Sequence, residues 1–390
     1  MIGINEFKLK RINANIMALY IFQFGLLQPI CIAVKSQLPI AVFTLFLLLF
    51  MFWENGIKIK PYVTFAFLTI VILFLLNIQI NKANKFVPST LYKFLSMGLS
   101  GLLFGSLDID GDDLYKAFLK YGLINFFVLA PFPFIGLLPK KINYMRFGYA
   151  MLPSVIITFY GVTYEKNHRL FLGLISIFAL AITVIYGSRG TIIAIMLSVI
   201  LFFIFNRKIS RDIKFLILIV IGIFVIIFIR YDLIYKLLSF IYYDLGIKTY
   251  SLKKLIIMFK EGLIESSSGR EKIYSHLWTL FIENPILGKG IAVSQYVLGE
   301  RFTAHNIILQ ILVEFGFLGL LVWMALWFCC GYKYSRILAE QETGLFIVVT
   351  MLISISLGRL MVSSDMWVRP EYWFVFSLLL NYTSMKEIDV

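Results

Sequence analysis

The sequence predicts an all-α, polytopic integral membrane protein with about 12 transmembrane helices and one large outer loop that contains amphipathic helices. Three observations predict it. Hydrophobic residues make up 60% of the 390 and charged residues only 15%, where a soluble domain carries about 25%. Mean hydropathy is +0.87. Long apolar runs such as 215–230 replace the two-residue alternation that a barrel strand needs.

Spans are expected near 13–34, 37–53, 61–80, 91–107, 117–138, 145–163, 170–187, 190–206, 213–231, 304–328, 343–362 and 370–385. Lys8, Lys10 and Arg11 anchor the first, whose apolar run is too long for a cleavable signal segment. Lysine and arginine gather in the loops holding Lys58 and Lys60, Lys166 and Arg169, Arg207 to Lys214, and Lys333 and Arg336. Such loops stay in the cytoplasm, which places both termini inside. Lys82, Lys85, Lys140 and Lys141 fall on the outer side and weaken the bias without reversing it. The formal net charge of +14 belongs to this loop chemistry and does not point to nucleic acid. Cys31, Cys329 and Cys330 sit in apolar runs and read as small core residues, with neither metal spacing nor a disulfide framework.

Three regions follow: helices one to nine over 1–231, the large outer loop over 232–303, and helices ten to twelve over 304–390. Within the loop, Leu252, Leu255, Ile256, Phe259 and Leu263 recur at helical spacing. That pattern predicts an amphipathic helix lying in the membrane interface.

Four places could carry chemistry. Arg189, in Tyr186-Gly-Ser-Arg-Gly190, lies between two apolar spans. Charge at membrane depth tends to mark function, although an arginine can also snorkel to headgroups. The second place is Ser266-Ser-Ser-Gly-Arg270, whose serines can cap a helix beginning near Gly269. Arg270 and Tyr274 then share a face, and Pro285, Gly288 and Gly290 turn the chain after it.

The third is His305-Asn306, where the long loop enters a span. A histidine there can act as a general base, or simply cap the helix. Glu314 falls about half a turn out of phase with His305, so it cannot orient the ring and packs between helices instead. The fourth, Asp108-Ile-Asp-Gly-Asp-Asp113, invites a metal reading, but its glycine and its twelfth position, Leu119, do not fit a calcium loop. A helix N-cap with acids in the first turn accounts for it. No metal site is expected, and no cofactor.

In this order the features resemble the O-antigen ligase and polymerase family of bacterial membrane proteins. The matching pieces are Ser-Arg-Gly at 188–190, Ser-Gly-Arg with a following Tyr at 268–274, Asn-Pro-Ile-Leu-Gly-Lys-Gly at 284–290, and His-Asn at 305–306 opening a span with Glu314, Gly316 and Gly319. Tyr144-Met-Arg-Phe-Gly-Tyr-Ala-Met-Leu-Pro153 is similar to the polysaccharide polymerases in particular.

The resemblance implies a multi-pass protein of the bacterial cytoplasmic (inner) membrane, with its active site facing outward. It implies metal-independent transfer of a growing glycan from an undecaprenyl-pyrophosphate carrier. A polymerase passes the glycan to a lipid-linked repeat unit, whereas a ligase passes it to lipid A–core. Catalytic His305, pyrophosphate-binding Arg189, Arg270 and Arg369, and supporting Tyr274 and Asn306 are the residues it implies. The expected partners are the lipid-linked oligosaccharide, the bilayer and a chain-length-regulating membrane protein. Arg359 and Arg146 are weaker candidates for phosphate contact than Arg369, being equally good headgroup anchors. A lipid-linked oligosaccharide flippase is the competing class, but flippases show internal repeats and mid-membrane charge, and this sequence shows neither.

Overall fold

A computed structural model of the chain describes residues 6–138, 142–206, 232–261, 269–300, 303–340 and 342–382. The span expected near 213–231, the serines at 266–268, Leu263, Lys140, Lys141 and the basic loop 207–214 lie outside the described residues.

Every regular element among the described residues is a helix. α1 (Glu6–Leu26) and α2 (Gln28–Val34) form one bent pair, turned by 46°. Pro29 opens α2, and the donor it lacks is one that a first turn leaves unused. α3 (Leu38–Asn55) and α4 (Pro61–Ile80) also carry proline in their first turn. α5 (Phe86–Lys93) runs through a π-type turn, Phe94–Gly98, into α6 (Leu99–Gly105). α7 (Gly111–Leu129), α8 (Tyr144–Tyr164), α9 (Arg169–Tyr186) and α10 (Arg189–Phe205) follow. Then come the short helices α11 (Leu233–Ser239), α12 (Tyr250–Glu261), α13 (Arg270–Glu283) and α14 (Val293–Leu298). α15 (Ile307–Ala339), α16 (Thr343–Leu360) and α17 (Pro370–Asn381) close the chain's described part.

Among the described residues, 6 helices are long and apolar enough to cross a membrane, or 7 if the bent pair is one span. The chain is a multi-pass membrane protein. Burial sorts these helices: 78% of the apolar window of α16 and 72% of that of α8 are buried, against 17% for α3 and α4. Apolar helices that bury so little of themselves face lipid, while α8 and α16 form the centre of the bundle.

The bundle has two chemically distinct ends. At one, Lys60 pairs with Asp108 at 2.9 Å, and Asp110 caps α7 by accepting from the amides of Asp112 and Asp113. At the other end of α4, Asn81 and Asn84 donate to the carbonyls of Lys289 and Ile291. A helix of 20 residues separates the two ends by about 30 Å. The acidic run at 108–113 is therefore a helix cap, far from the other three candidate places.

Two expectations need correction. The apolar stripe of α12 does not lie open to a membrane surface: Leu252, Leu255 and Ile256 are buried in a cluster with Leu238 of α11, and Val184 and Ile185 of α9 pack against it. Only Phe259 of the stripe is left exposed among the described residues. The neighbouring ends of α9 and α10 supply the apolar partner that sequence periodicity cannot name. Of the three cysteines, Cys31 and Cys330 are buried but Cys329 is exposed. Adjacent residues lie about 100° apart on a helix, and on this lipid-facing part of α15 Cys330 turns to the core while Cys329 turns away.

Candidate functional site

Arg189 is the first residue of α10, directly after the turn at Gly187 and Ser188. That turn is clamped from outside the pair of spans. Thr249 donates to the carbonyl of Ile185 at 2.7 Å, and the Ser251 hydroxyl donates to the carbonyl of Gly187. The start of α12 therefore sets the height and direction of Arg189. A Cβ on Gly190 would stand 2.2 Å from the Tyr149 hydroxyl, so only glycine lets α8 approach here. Arg189 is half-buried near Tyr144 and Tyr250, whose rings meet at 5.0 Å.

Arg270 opens α13 after Gly269, which adopts φ 81°. It stands within electrostatic reach of Arg189, Tyr144, Tyr274 and His305. The structure thus gathers three residues that the sequence spreads over more than a hundred positions. Tyr274, one turn along α13, donates its hydroxyl to the main-chain carbonyl of His305 at 3.2 Å.

His305 does not cap α15. Asn306 does, its side-chain oxygen accepting from the amides of Ile308 and Leu309 at 3.0 and 3.1 Å. That division of labour leaves the imidazole free of the helix end. The backbone of His305 takes φ 51°, a left-handed conformation that a non-glycine residue adopts only where its surroundings hold it. Nδ1 lies 3.2 Å from the Thr303 hydroxyl, and a ring N–H reaches the main-chain carbonyl of Ser363. One nitrogen of a neutral ring remains an acceptor in that arrangement. Burial first, and the Arg270 charge second, push the His305 pKa below its ordinary value, so the ring stays neutral and basic further into the acid range.

α15 is broken at Gly316, which adopts φ 67° and ψ −164°. The turn at 284–290 fills the break. Phe317 and Leu318 donate their amides to the carbonyls of Pro285 and Ile286 at 2.8 and 3.2 Å. The amides of Lys289 and Gly290 donate to the carbonyls of Val313 and Glu314 at 2.7 and 2.9 Å. Four of the groups the break frees near Gly316 are thereby paired, as apolar surroundings demand. The Asn-Pro-Ile-Leu-Gly-Lys-Gly segment thus does more than turn the chain: it fixes the short helical piece, 307–315, that follows His305.

Glu314 behaves as expected and makes no contact with His305. It accepts from the Ala292 amide, from Gln310 and from the Trp367 indole, at 3.1, 3.3 and 2.9 Å. Asp365 joins this buried network through Gln295 and Gln310 at 3.1 and 3.0 Å. The network ties α14 and α15 to the segment between α16 and α17 that carries Ser363 and Arg369.

Arg369 stands within electrostatic reach of Arg359, Glu371, Tyr149 and Asp365, and neither Arg189 nor Arg270 is among these neighbours. Arg369 donates to the Ser364 hydroxyl and opens into a cavity of about 1010 Å³ that Arg146, Arg359 and Lys93 also line. Arg359 does not act as a headgroup anchor: it donates to Glu371 at 2.9 Å and stacks on the Tyr149 ring at 4.4 Å. Sequence reading missed Ser363, which bonds the Tyr149 hydroxyl at 2.5 Å. A lone serine carries no periodic signal. Among the described residues no three His, Cys, Asp or Glu side chains gather as a metal site would require.

This geometry coincides with a family match. Residues 174–324 match the family model described as O-antigen ligase. A Rickettsia conorii protein named as a candidate polysaccharide ligase is 28% identical over 137 residues, or 31% of this chain and 32% of that protein. The chain thus spans about a third of the length of the relative it matches. Both findings support the O-antigen ligase and polymerase family. The matched segment contains Arg189, Arg270, Tyr274, His305 and Asn306, whereas Arg369 and the cavity cations fall outside it.

Proposed function

We propose that this protein is a polysaccharide polymerase that moves a growing glycan from undecaprenyl pyrophosphate to a lipid-linked repeat unit, on the outer face of the bacterial cytoplasmic membrane. The observation that carries the reading is the position of Arg270, within electrostatic reach of both Arg189 and His305. A cationic pair beside a neutral imidazole suits the departure of an anion together with removal of a proton.

In the reaction, an acceptor hydroxyl attacks the anomeric carbon of the donor sugar. The new carbon–oxygen bond forms as the bond to the carrier's pyrophosphate breaks. His305 takes the hydroxyl proton as general base. The pyrophosphate departs with both electrons of the broken bond, and Arg189 and Arg270 stabilise its growing charge with forked N–H donors. Two guanidiniums supply positive charge that a divalent cation would otherwise bring. Direct attack inverts the anomeric centre. Tyr274 positions His305 through its carbonyl, and Asn306 does so by capping the helix that follows. The segment 232–303 is the outer loop that covers the donor.

A ligase reading, with lipid A–core as acceptor, draws support from the description of the matching family and from the name of the Rickettsia protein. The donor chemistry is the same in both. Tyr144–Pro153 favours polymerase through its similarity to the polysaccharide polymerases, and the same segment lines the cavity with Arg146 and Tyr149. A deletion strain separates the two. Loss of a polymerase collapses surface glycan to single repeat units. Full-length polymer accumulating on the carrier, with none on lipid A–core, would identify a ligase instead.

A further inference from the structure

The cavity beyond Tyr149 has the chemistry of a second lipid site. Its head is cationic: Lys93, Arg146, Arg359 and Arg369 line it, and Glu371 is the carboxylate among them. Glu371 is committed to Arg359, and the buried Nε of that same arginine has no hydrogen-bond partner among the described residues. Arg146 is exposed to the cavity and has no carboxylate partner among the described residues. Below this head the walls turn apolar, with Ile40, Leu48, Leu99 and Leu103.

The mouth opens sideways. Leu38, Leu45 and Leu95 line the cavity yet are 62%, 57% and 39% exposed. They bring the cavity rim to the bundle surface between the lipid-facing α3, which packs mainly on α1, and the π-type turn that leads into α6. At about 1010 Å³ the space reaches the upper end of ligand sites, roughly 300–1,000 Å³. A lateral portal with apolar walls under a cationic head suits an amphiphile with an anionic phosphate head.

Distance from the base decides which amphiphile. In the donor, the reacting carbon is bonded directly to pyrophosphate, so its phosphates must lie beside His305. Arg270 opens the helix whose Tyr274 bonds the His305 carbonyl at 3.2 Å, whereas Lys93, Arg146, Arg359 and Arg369 line the cavity, which neither Arg270 nor His305 lines. An acceptor differs, because its sugars stand between its carrier and its reacting hydroxyl. Its head therefore belongs further from the base, while its glycan reaches past Ser363, whose side chain lines the cavity and whose carbonyl meets His305.

We propose that this cavity binds the carrier of the acceptor, a polyprenyl pyrophosphate, with Arg146 and Arg369 on its phosphates and its chain leaving between α3 and the turn into α6. The proposal rests on the polymerase reading above, since that reaction alone requires two carrier-linked substrates at once.

The test is native mass spectrometry of the purified full-length protein in detergent, with geranylgeranyl pyrophosphate as the single-chain probe. Wild type is expected to bind two equivalents. An Arg146→Gln, Arg369→Gln double variant should lose one, its affinity falling by at least about tenfold, or 1.4 kcal/mol. If that variant fails to purify as a monodisperse species, Arg146→Gln alone, at an exposed position, serves in its place.

A single equivalent on wild type, or two on the cavity variant with unchanged affinity, would overturn the second site. So would displacement of the second equivalent by an equal concentration of phosphatidylglycerol, which would make the cavity a phospholipid site. An Arg189→Gln, Arg270→Gln variant should lose the other equivalent. If it keeps both while the cavity variant loses one, the second site stands and the donor clamp falls.

Discussion

The hydroxyl of Tyr274 donates to the main-chain carbonyl of His305 across 3.2 Å, so α13 holds the histidine by its backbone and leaves the imidazole untouched. Arg270 starts the same helix one turn earlier. Cation and base are thereby tied to a single rigid element, although Asn306, the cap of α15, lies 36 positions after Arg270 on another helix.

Tyr274→Phe removes that bond and keeps the ring. Transfer should slow by roughly threefold to tenfold, in keeping with the loss of about one hydrogen bond, with substrate affinity little changed. Steady-state kinetics on purified protein decide it. A rise in KM at constant kcat would show that Tyr274 binds substrate and does not position His305.

The acid limb of the rate profile should lie below pH 6.5, the ordinary histidine value, because burial and Arg270 both disfavour the charged ring. Arg270→Gln removes one of these two causes, so the limb should move upward while the maximal rate falls. The sign for stability follows from linkage. A histidine whose folded pKa is lowered binds its proton more readily when unfolded, so stability falls as pH drops from about 6.5 towards the folded value and is unaffected above it. An acid limb that stays in place in Arg270→Gln would remove Arg270 from the surroundings of His305.

The fold was legible because bilayer crossing imposes one long apolar run per helix, and α3, α4, α8, α9 and α16 follow that pattern closely. Arg189 stood out as a candidate because charge at an apolar helix end is rare, while Arg270 and His305 stood out by their places in a family-like order of motifs, and the structure brings the three candidates near one another. Ser363, Tyr149 and the Arg359–Glu371 pair were not legible. Their roles come from contacts between α8, α16 and α17, and no local periodicity records which helices meet. The fate of α12 was misjudged for the same reason, since an amphipathic stripe reports that it needs an apolar partner without reporting which one.

Gly316→Ala should destabilise the fold severely. A Cβ there would sit 2.2 Å from the Ile286 carbonyl, at a φ of +67° that suits glycine. Gly331→Ala, on the same helix with nothing within 4 Å of the added carbon, should leave stability unchanged or raise it by up to about 1 kcal/mol. Thermal melts followed by size-exclusion chromatography compare the two. Equal melting points would mean that the turn at 284–290 does not seat in the break.

Arg189→Lys and Arg270→Lys should each impair transfer even though the charge is kept, because an ammonium cannot present a guanidinium's paired donors. Losses of at least about tenfold are expected, measured as polymer formed per unit of membrane-inserted protein. Wild-type rates in both lysine variants would contradict a forked pyrophosphate clamp.

The central claim is that His305 removes the acceptor's proton, and the rate of glycan transfer by purified His305→Ala tests it most directly. The substrate is carrier-linked repeat unit, and binding is measured alongside. The account predicts a loss of at least about a hundredfold in rate, within the span of roughly 10² to 10⁴ that general-base catalysis supplies, with donor affinity retained through Arg189 and Arg270. A His305→Ala protein that folds, binds donor and polymerises at close to the wild-type rate would contradict it.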